Sequence, residues 1–301
     1  MKSWLKTQIP TAVILVVIAL VAILYFGLGQ NTLPQGVPEL TAGRLIILII
    51  IGFLAGLLGG IIGTGGCSVM LPVLHFWLGY PAPIAVGTTL FAVIFTAISG
   101  GYGHLVRHNL DKRAVAWLGG IGIIGVIIGS WLFTFLSDQS TLLGLILGLL
   151  FLWPALRMIW EGIRRSGLPQ KEGNAITASA TGLGSFGFVV GLATGIAGLG
   201  GGYALVPGLI YLFGAPVYIT MGTSLATMIP LALVGGVLKL AGGFVDMAAG
   251  LLLAAGTVVG AQVGAAIIKR FKPTTLKLIF GIYFLYVSAK FITAFFGLKI
   301  W

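Results

Sequence analysis

Charge is scarce in this sequence. Only 8% of the 301 residues are charged, whereas 58% are hydrophobic, and the mean hydropathy is +1.12. A soluble domain normally has about a quarter of its residues charged. Because the few charges lie between long apolar runs, the composition excludes a water-soluble helical bundle. It predicts an all-α polytopic membrane protein whose solvent is the lipid bilayer.

Carboxylates are missing from the middle of every apolar run. A cation pump or metal transporter usually needs one inside the membrane, and an intramembrane hydrolase needs paired acids, a Ser/His set or metal ligands. We therefore expect no catalytic residues, no metal site and no cofactor. Asp111 and Asp246 are predicted to cap the starts of two equivalent helices. All six acids lie in or beside predicted connections: Glu39, Asp111, Asp138, Glu161, Glu172 and Asp246.

Cysteine is nearly absent too. Cys67 is the only one, which excludes an intrachain disulfide and a cysteine-based metal cluster. We expect it to be a small buried residue. The formal charge of +11 does not indicate nucleic-acid binding, because Lys and Arg are concentrated in a few short connections and form no continuous basic face.

Long apolar runs make up most of the sequence. Two of the runs, 67–79 and 202–214, are too short to span a bilayer, which takes about 20 residues. Each follows a glycine-rich break, Gly63–Gly66 in one case and Gly198–Gly202 in the other. The predicted apolar runs are 9–28, 44–62, 67–79, 83–106, 113–136, 140–160, 175–197, 202–214, 217–240, 246–268 and 274–296.

The first run follows Lys2 and Lys6 and in this respect is similar to a signal peptide. It is long enough to span, and no small-x-small cleavage site follows it. We therefore predict a retained first helix.

The two breaks belong to an internal repeat with a constant offset of 135 residues. Residues 52–101 match residues 187–236 without a gap at about two fifths of the positions. The matches include Pro72 with Pro207 and the Gly-Thr pair at 87–88 with that at 222–223. The sequence thus predicts two homologous halves, each with a glycine-broken helix pair followed by three spanning helices.

The basic connections indicate how the halves are oriented. Arg107, Lys112 and Arg113 lie near residue 110, whereas the equivalent connection near 245 has only Asp246. In the second half the basic connection is at 269–272, and its first-half equivalent near 137 has none. Basic connections face the cytoplasm, so the two halves are predicted to be inverted. Only Arg44, Lys239, Lys290 and Lys299 then lie away from the cytoplasmic side.

This topology divides the chain into four parts. We expect an N-terminal transmembrane helix with an external loop (1–43), a first repeat (44–160), a cytoplasmic linker (161–174) and a second repeat (175–301). The N-terminus would be cytoplasmic and the C-terminus external. Whether the broken pairs are re-entrant or fully spanning is left open.

Broken helices in inverted repeats are typical of secondary transporters that bind substrate near the midplane. A helix that starts after a glycine-rich turn offers free N–H groups and a positive dipole end to an anion. Hydroxyl groups at matched helix starts can also donate to an anion, or can bond to their own helix. The predicted substrate-binding residues at the breaks and helix starts are Gly63, Gly65, Gly66, Cys67, Thr88, Thr89, Gly198, Gly200, Gly201, Thr223 and Ser224.

Four further polar residues lie in apolar runs. His75 is the candidate for a protonatable group at membrane depth, and Gln262 is expected to face a cavity or to bridge helices. We include both among the candidate site residues. His104 and Lys239 occupy equivalent positions near helix ends, where we expect each to reach the membrane interface.

The pattern Gly52–Gly56, Gly63–Gly66, Pro72, Gly79, Pro81 and Val86–Thr89, with a second copy that ends in Met221–Ser224, resembles the TauE/SafE family of sulfite and organosulfur exporters. The resemblance covers roughly residues 44 to 296 and leaves the first helix as an addition. It implies a transporter of sulfite, sulfonates, thiosulfate or related anions in the cytoplasmic membrane of a bacterium or archaeon. One departure is Cys67, where family members usually have a third glycine. If Cys67 lines the pathway, its thiol is expected to alter size selection or to react with sulfite-like substrates.

We therefore expect a secondary exporter of small sulfur-containing anions, with the bilayer and its substrate as partners. The sequence leaves open the anion, the direction, the coupling ion and a homo-oligomer. A gated anion channel with the same helix ends is one alternative. An intramembrane enzyme acting on a sulfur compound or a lipid is another, and Cys67 with His75 would be its only nucleophile-and-base pair.

Overall fold

The computed structural model describes residues 2–27, 34–106, 108–164, 173, 175–267 and 273–298. Within them the chain is helical and has no strand. The helices are α1 (Lys2–Gly27), α2 (Ala42–Ile62), α3 (Cys67–Pro72), α4 (Ala82–Val106), α5 (Lys112–Ser137), α6 (Ser140–Arg164), α7 (Ala180–Ala197), α8 (Gly202–Tyr211), α9 (Val217–Ala241), α10 (Met247–Ile267) and α11 (Pro273–Phe295).

Eight of these helices are long and apolar enough to cross a membrane. The prediction of an all-α polytopic membrane protein is therefore confirmed. Helix α7 begins at Ala180 rather than at residue 175 because Ser179 caps it, accepting a hydrogen bond from Gly182 N at 3.1 Å. Helix α6 extends to Arg164, into the segment predicted as linker.

The two short helices, α3 and α8, differ in how they continue. Helix α3 passes at Pro72 into a wider turn over Val73–Trp77, which closes with a hydrogen bond from Leu78 N to the Val73 carbonyl at 3.0 Å. Helix α8 stays α-helical through Pro207. Each proline is the sixth residue of its helix, so its missing N–H removes one hydrogen bond to the carbonyl four residues earlier.

The element order follows the repeat, and helices α4 and α9 have bounds that differ by the same offset at both ends. Packing crosses the halves: α2 lies against α10, α7 against α5, α4 against α9, and α6 against α11. By the repeat, α2 is equivalent to α7 and α10 is equivalent to α5, so the first of these pairs is equivalent to the second. The halves therefore interleave around a common core.

Glycines allow these crossings to be close. A Cβ on Gly56 of α2 would overlap the backbone of Thr257 in α10, and one on Gly191 of α7 would overlap Gly122 in α5. Small residues on facing helices are the usual means of close packing in lipid. The outward faces of the same helices carry large apolar side chains, such as Ile46 and Ile50 of α2 and Trp131 of α5, as a lipid-facing surface requires.

Several basic residues that carry the topology prediction lie outside the described residues. They are Arg107, Arg165, Lys171, Lys269, Arg270, Lys272 and Lys299, together with most of the predicted linker 161–174.

Candidate functional site

The two glycine-rich breaks touch each other in the middle of the fold. A Cβ on Gly202 would lie 2.6 Å from Cα of Thr64, so the backbone of the second break rests on that of the first. The Cys67 thiol donates a hydrogen bond to the Leu199 carbonyl and lies 3.4 Å from the Thr64 carbonyl. We call this contact region, residues 63–67 and 198–202, the junction.

Val93 of α4 and Met228 of α9 lie beside the junction at equivalent positions of the repeat. A Cβ on Gly200 would meet Met228 Cε at 2.7 Å and Val93 Cγ1 at 2.9 Å, and one on Gly65 would overlap the same Met228 methyl. Helices α4 and α9 are antiparallel here, since Gly100 faces Leu225 while Gly236 faces Ile94. The interface of the two central helices therefore runs past the junction.

Backbone conformation makes glycine necessary in the junction. Gly65 has φ +72° and Gly200 has φ +66°, values that side chains with a Cβ rarely adopt. Gly66 and Gly201 also have positive φ and precede the first turns of α3 and α8. Among the described residues, none accepts a backbone hydrogen bond from the N–H groups of Gly65, Gly66, Gly200 or Gly201. Buried N–H groups of this kind are rare and favour an anion or water as partner.

Threonines at the starts of the central helices form a pair of matched contacts, which we call the clasps. Thr88 Oγ1 accepts from the backbone N–H of Asp246 at 2.9 Å, and Thr223 Oγ1 accepts from that of Asp111 at 2.9 Å. Each aspartate also caps its own helix, as predicted, by accepting from Ala249 N or Ala114 N. Each clasp therefore joins a central helix of one half to a helix of the other.

The clasps differ at the second carboxylate oxygen. Asp246 accepts from the Tyr80 phenol at 2.9 Å and is 1% exposed, whereas Asp111 accepts from Ile176 N at 2.7 Å and is half-buried. Burial and the Asp246 carboxylate raise the pKa of Tyr80, so the phenol stays protonated and donates.

The neighbouring hydroxyls have partners as well. Thr89 donates to the Ala85 carbonyl of its own helix at 2.7 Å, and Ser224 donates to the Gly63 carbonyl at 3.0 Å. Ser224 therefore ties α9 to the first break. Because both hydroxyls donate to carbonyl groups of the protein, their donation to an anion stays a prediction.

Two hydroxyls that the sequence did not single out lie at the second break. Thr194 is fully buried, and a Cβ on Gly201 would lie 3.0 Å from its Oγ1. Tyr203 directly follows the second break and is 3% exposed. Neither hydroxyl has a hydrogen-bond partner in the described part of the chain. The sequence signal that could have identified them is a difference between the two halves of the repeat. The first-half residues equivalent to Thr194 and Tyr203 are Gly59 and Ser68.

The two other candidate residues lie elsewhere. His75 Nδ1 is 2.9 Å from the Tyr80 carbonyl, and its ring stacks on Phe291 of α11. It is therefore not paired with Cys67, whose thiol is directed to the junction carbonyls. Gln262 of α10 donates from Nε2 to the Ser99 carbonyl of α4 at 2.9 Å and bridges the two helices.

The prediction that Lys239 reaches the membrane interface is wrong. The side chain is 1% exposed, and its ammonium nitrogen lies 3.2 Å from the centre of the Phe133 ring. His104 at the equivalent position of α4 is also buried, with 5% exposed. Phe133 of α5 covers the last turn of α9, so the Lys239 side chain does not extend to water.

A core of interleaved, membrane-length helices around two touching backbone breaks defines a polytopic membrane protein. Residues 48–291 match the family described as "Sulfite exporter TauE/SafE". Because the match covers most of the chain, the protein belongs to the TauE/SafE family, as the resemblance implied.

Several relatives are named as membrane transporters. "Probable membrane transporter protein YdhB" of Bacillus subtilis is 28% identical over 232 residues, which cover 77% of this chain and 94% of that protein. "Probable membrane transporter protein YunE" of the same organism is 27% identical and covers 82% of this chain and 97% of its own length. "Probable membrane transporter protein MJ0441" of Methanocaldococcus jannaschii is 25% identical and covers 78% and 90%. No solved structure matches this chain.

Proposed function

We propose that this protein is a secondary transporter that exports small sulfur-containing anions such as sulfite, sulfonates or thiosulfate, and that the anion binds at the junction. The observation that carries the proposal is the meeting of two breaks in which the N–H groups of four glycines have no backbone acceptor among the described residues. These glycines are Gly65, Gly66, Gly200 and Gly201. Such groups suit a negatively charged oxygen. The family's printed description supports sulfur oxyanions as the substrate class.

Hydroxyl groups would complete the binding site. Thr194 and Tyr203 flank the second break, are buried and have no hydrogen-bond partner in the described residues. A buried hydroxyl without a partner costs about 1–3 kcal/mol, and an anion oxygen would offset this cost. The proposal adds these two to the predicted glycines, Cys67 and the helix-start hydroxyls.

Transport in proteoliposomes tests the substrate class. Purified protein would be reconstituted with sulfite, thiosulfate, a short sulfonate or sulfate inside, and with divalent cations in a parallel set. We expect saturable efflux of at least one of the sulfur anions. Cation flux without anion flux would overturn the assignment, and a flux that rises linearly with concentration would indicate a channel instead of a carrier.

The proposed membrane arrangement is that of inverted repeats in the cytoplasmic membrane of a bacterium or archaeon. Support comes from the reciprocal swap of basic connections between the halves. Single cysteines at positions 110 and 244, in a background without Cys67, should react with impermeant reagents from opposite sides. Reaction from the same side at both positions would exclude the inverted arrangement.

A further inference from the structure

Lys239 is a buried basic residue in the last turn of α9 that the junction does not use. Its ammonium nitrogen lies over the Phe133 ring of α5 and has no hydrogen-bond partner among the described residues. An ammonium group has three N–H donors, and a single aromatic face leaves some of them without an acceptor. A charge that is buried in this way is costly unless it is paired.

No acid compensates for this charge in the described structure. Asp246 is the acidic residue closest in sequence, and both of its carboxylate oxygens accept hydrogen bonds from other groups, Tyr80 and Ala249. A ring contact returns about 0.5–2 kcal/mol, which is less than the several kcal/mol that burying an ammonium ion costs. An anion from outside the chain would supply the missing partner.

The position of Lys239 on its helix relates it to the junction. Lys239 follows Met228 by eleven residues, which is close to three helical turns and about 16 Å of rise. The two side chains therefore leave α9 on the same face, and Met228 contacts both breaks. The repeat places a second buried basic residue, His104, at the equivalent position of α4.

We propose that the Lys239 ammonium group forms a second anion site, separate from the junction, which holds the transported sulfur oxyanion at the end of the α4–α9 interface. The inference rests on the proposed anion transport. Lys239 donates to the anion while the Phe133 ring orients the ammonium group. In the inverted arrangement this site faces the external side, where an exported anion would leave.

Binding stoichiometry separates the two sites. Equilibrium binding of radiolabelled sulfite and thiosulfate would be measured on purified protein for the wild type, Lys239→Gln and Lys239→Met. Lys290→Met is the matched control, because Lys290 of α11 also lies over aromatic rings, 5.0 Å from the centre of Phe76. We expect two anions per chain in the wild type and in Lys290→Met, and one in both Lys239 variants.

Transport should follow the binding result. Loss of a hydrogen bond to a charged group lowers affinity about 10- to 150-fold, so we expect the apparent KM of the Lys239 variants to rise by about tenfold or more. Lys239→Met should unfold at the same temperature as the wild type or higher, because an apolar side chain replaces an unpaired buried charge.

The outcomes also separate this inference from the proposed function. If the wild type transports and binds one anion per chain and Lys239→Met does the same, the second site does not exist. A clear drop in unfolding temperature for both Lys239 variants would mean that the ammonium group is structural, and would overturn the inference as well. If the wild type neither binds nor transports any of these anions, the proposed function itself fails.

Discussion

The first and second breaks share a backbone and differ in their side chains. Gly65 and Gly200 have nearly the same φ and face the same Met228 methyl. In the first break, however, Cys67 reaches across to the Leu199 carbonyl, and in the second the equivalent residue is Gly202. At the second break, two buried hydroxyls, those of Thr194 and Tyr203, have no hydrogen-bond partner among the described residues. The two homologous breaks therefore share one backbone conformation. The residues that differ between them make the two sides of the junction chemically different.

The largest expected effect comes from a substitution that disturbs the backbone conformation common to both breaks. Gly200→Ala should reduce transport by about 100-fold or more, since the new Cβ would lie 2.7 Å from Met228 Cε and 2.9 Å from Val93 Cγ1. A displacement of about 1 Å at a binding site can cost that much. The efflux rate in proteoliposomes measures the effect.

Gly243→Ala is the control for backbone strain. Gly243 has φ +77° but nothing within 4 Å of its Cβ position, and it is exposed in the connection before α10. Its substitution should cost about 1–2 kcal/mol of stability with transport nearly unchanged. Equal transport losses in both variants would attribute the Gly200 effect to strain and not to crowding at the junction.

The next effect tests the difference between the breaks. Tyr203→Phe and Thr194→Val each remove one hydroxyl that faces the second break, and each should raise the KM for the transported anion by about 10- to 150-fold. Ser68→Ala removes the hydroxyl at the first-break equivalent of Tyr203 and should have a much smaller effect. A matched control is Tyr283→Phe in α11, whose buried hydroxyl also has no partner in the described residues. If KM is unchanged in Tyr203→Phe while the protein folds normally, the phenol does not contact the anion.

A smaller effect on stability is expected at the clasps. Thr88→Val leaves the N–H of the buried Asp246 without its acceptor and should cost about 1–3 kcal/mol in thermal unfolding. Thr223→Val should cost less, because Asp111 is half-buried and water can replace the lost bond. Thr220→Val is the control, since its hydroxyl has no partner among the described residues. A lower anion affinity with unchanged stability would instead assign these hydroxyls to the binding site, as the sequence predicted.

The sequence predicted the helices and the two breaks well because both depend on residues that recur in the two halves. Hydropathy located the helices, and the offset of the repeat located both breaks, their positive-φ glycines and the Asp111 and Asp246 caps. It did not predict that Thr88 and Thr223 accept from those aspartates, since only the fold brings them together. It missed Thr194 and Tyr203 because their type differs between the halves, and it placed Lys239 at the interface because burial by α5 is a tertiary property.

The smallest effect is expected at Cys67, where the first break departs from the second. Cys67→Gly makes the two breaks alike, and Cys67→Ala keeps a Cβ without the thiol. A thiol is a weak donor, so losing its bond to the Leu199 carbonyl should cost about 1 kcal/mol or less, and transport should stay within about threefold of the wild type. The size preference among sulfite, thiosulfate and a bulkier sulfonate should shift toward the larger anion in Cys67→Gly, since the side chain no longer fills its part of the junction. Parallel measurements of all three anions on both variants check this. Complete loss of transport in well-folded Cys67→Ala would mean that the thiol itself takes part in handling the substrate, and the enzyme alternative would then return with Cys67 as its nucleophile.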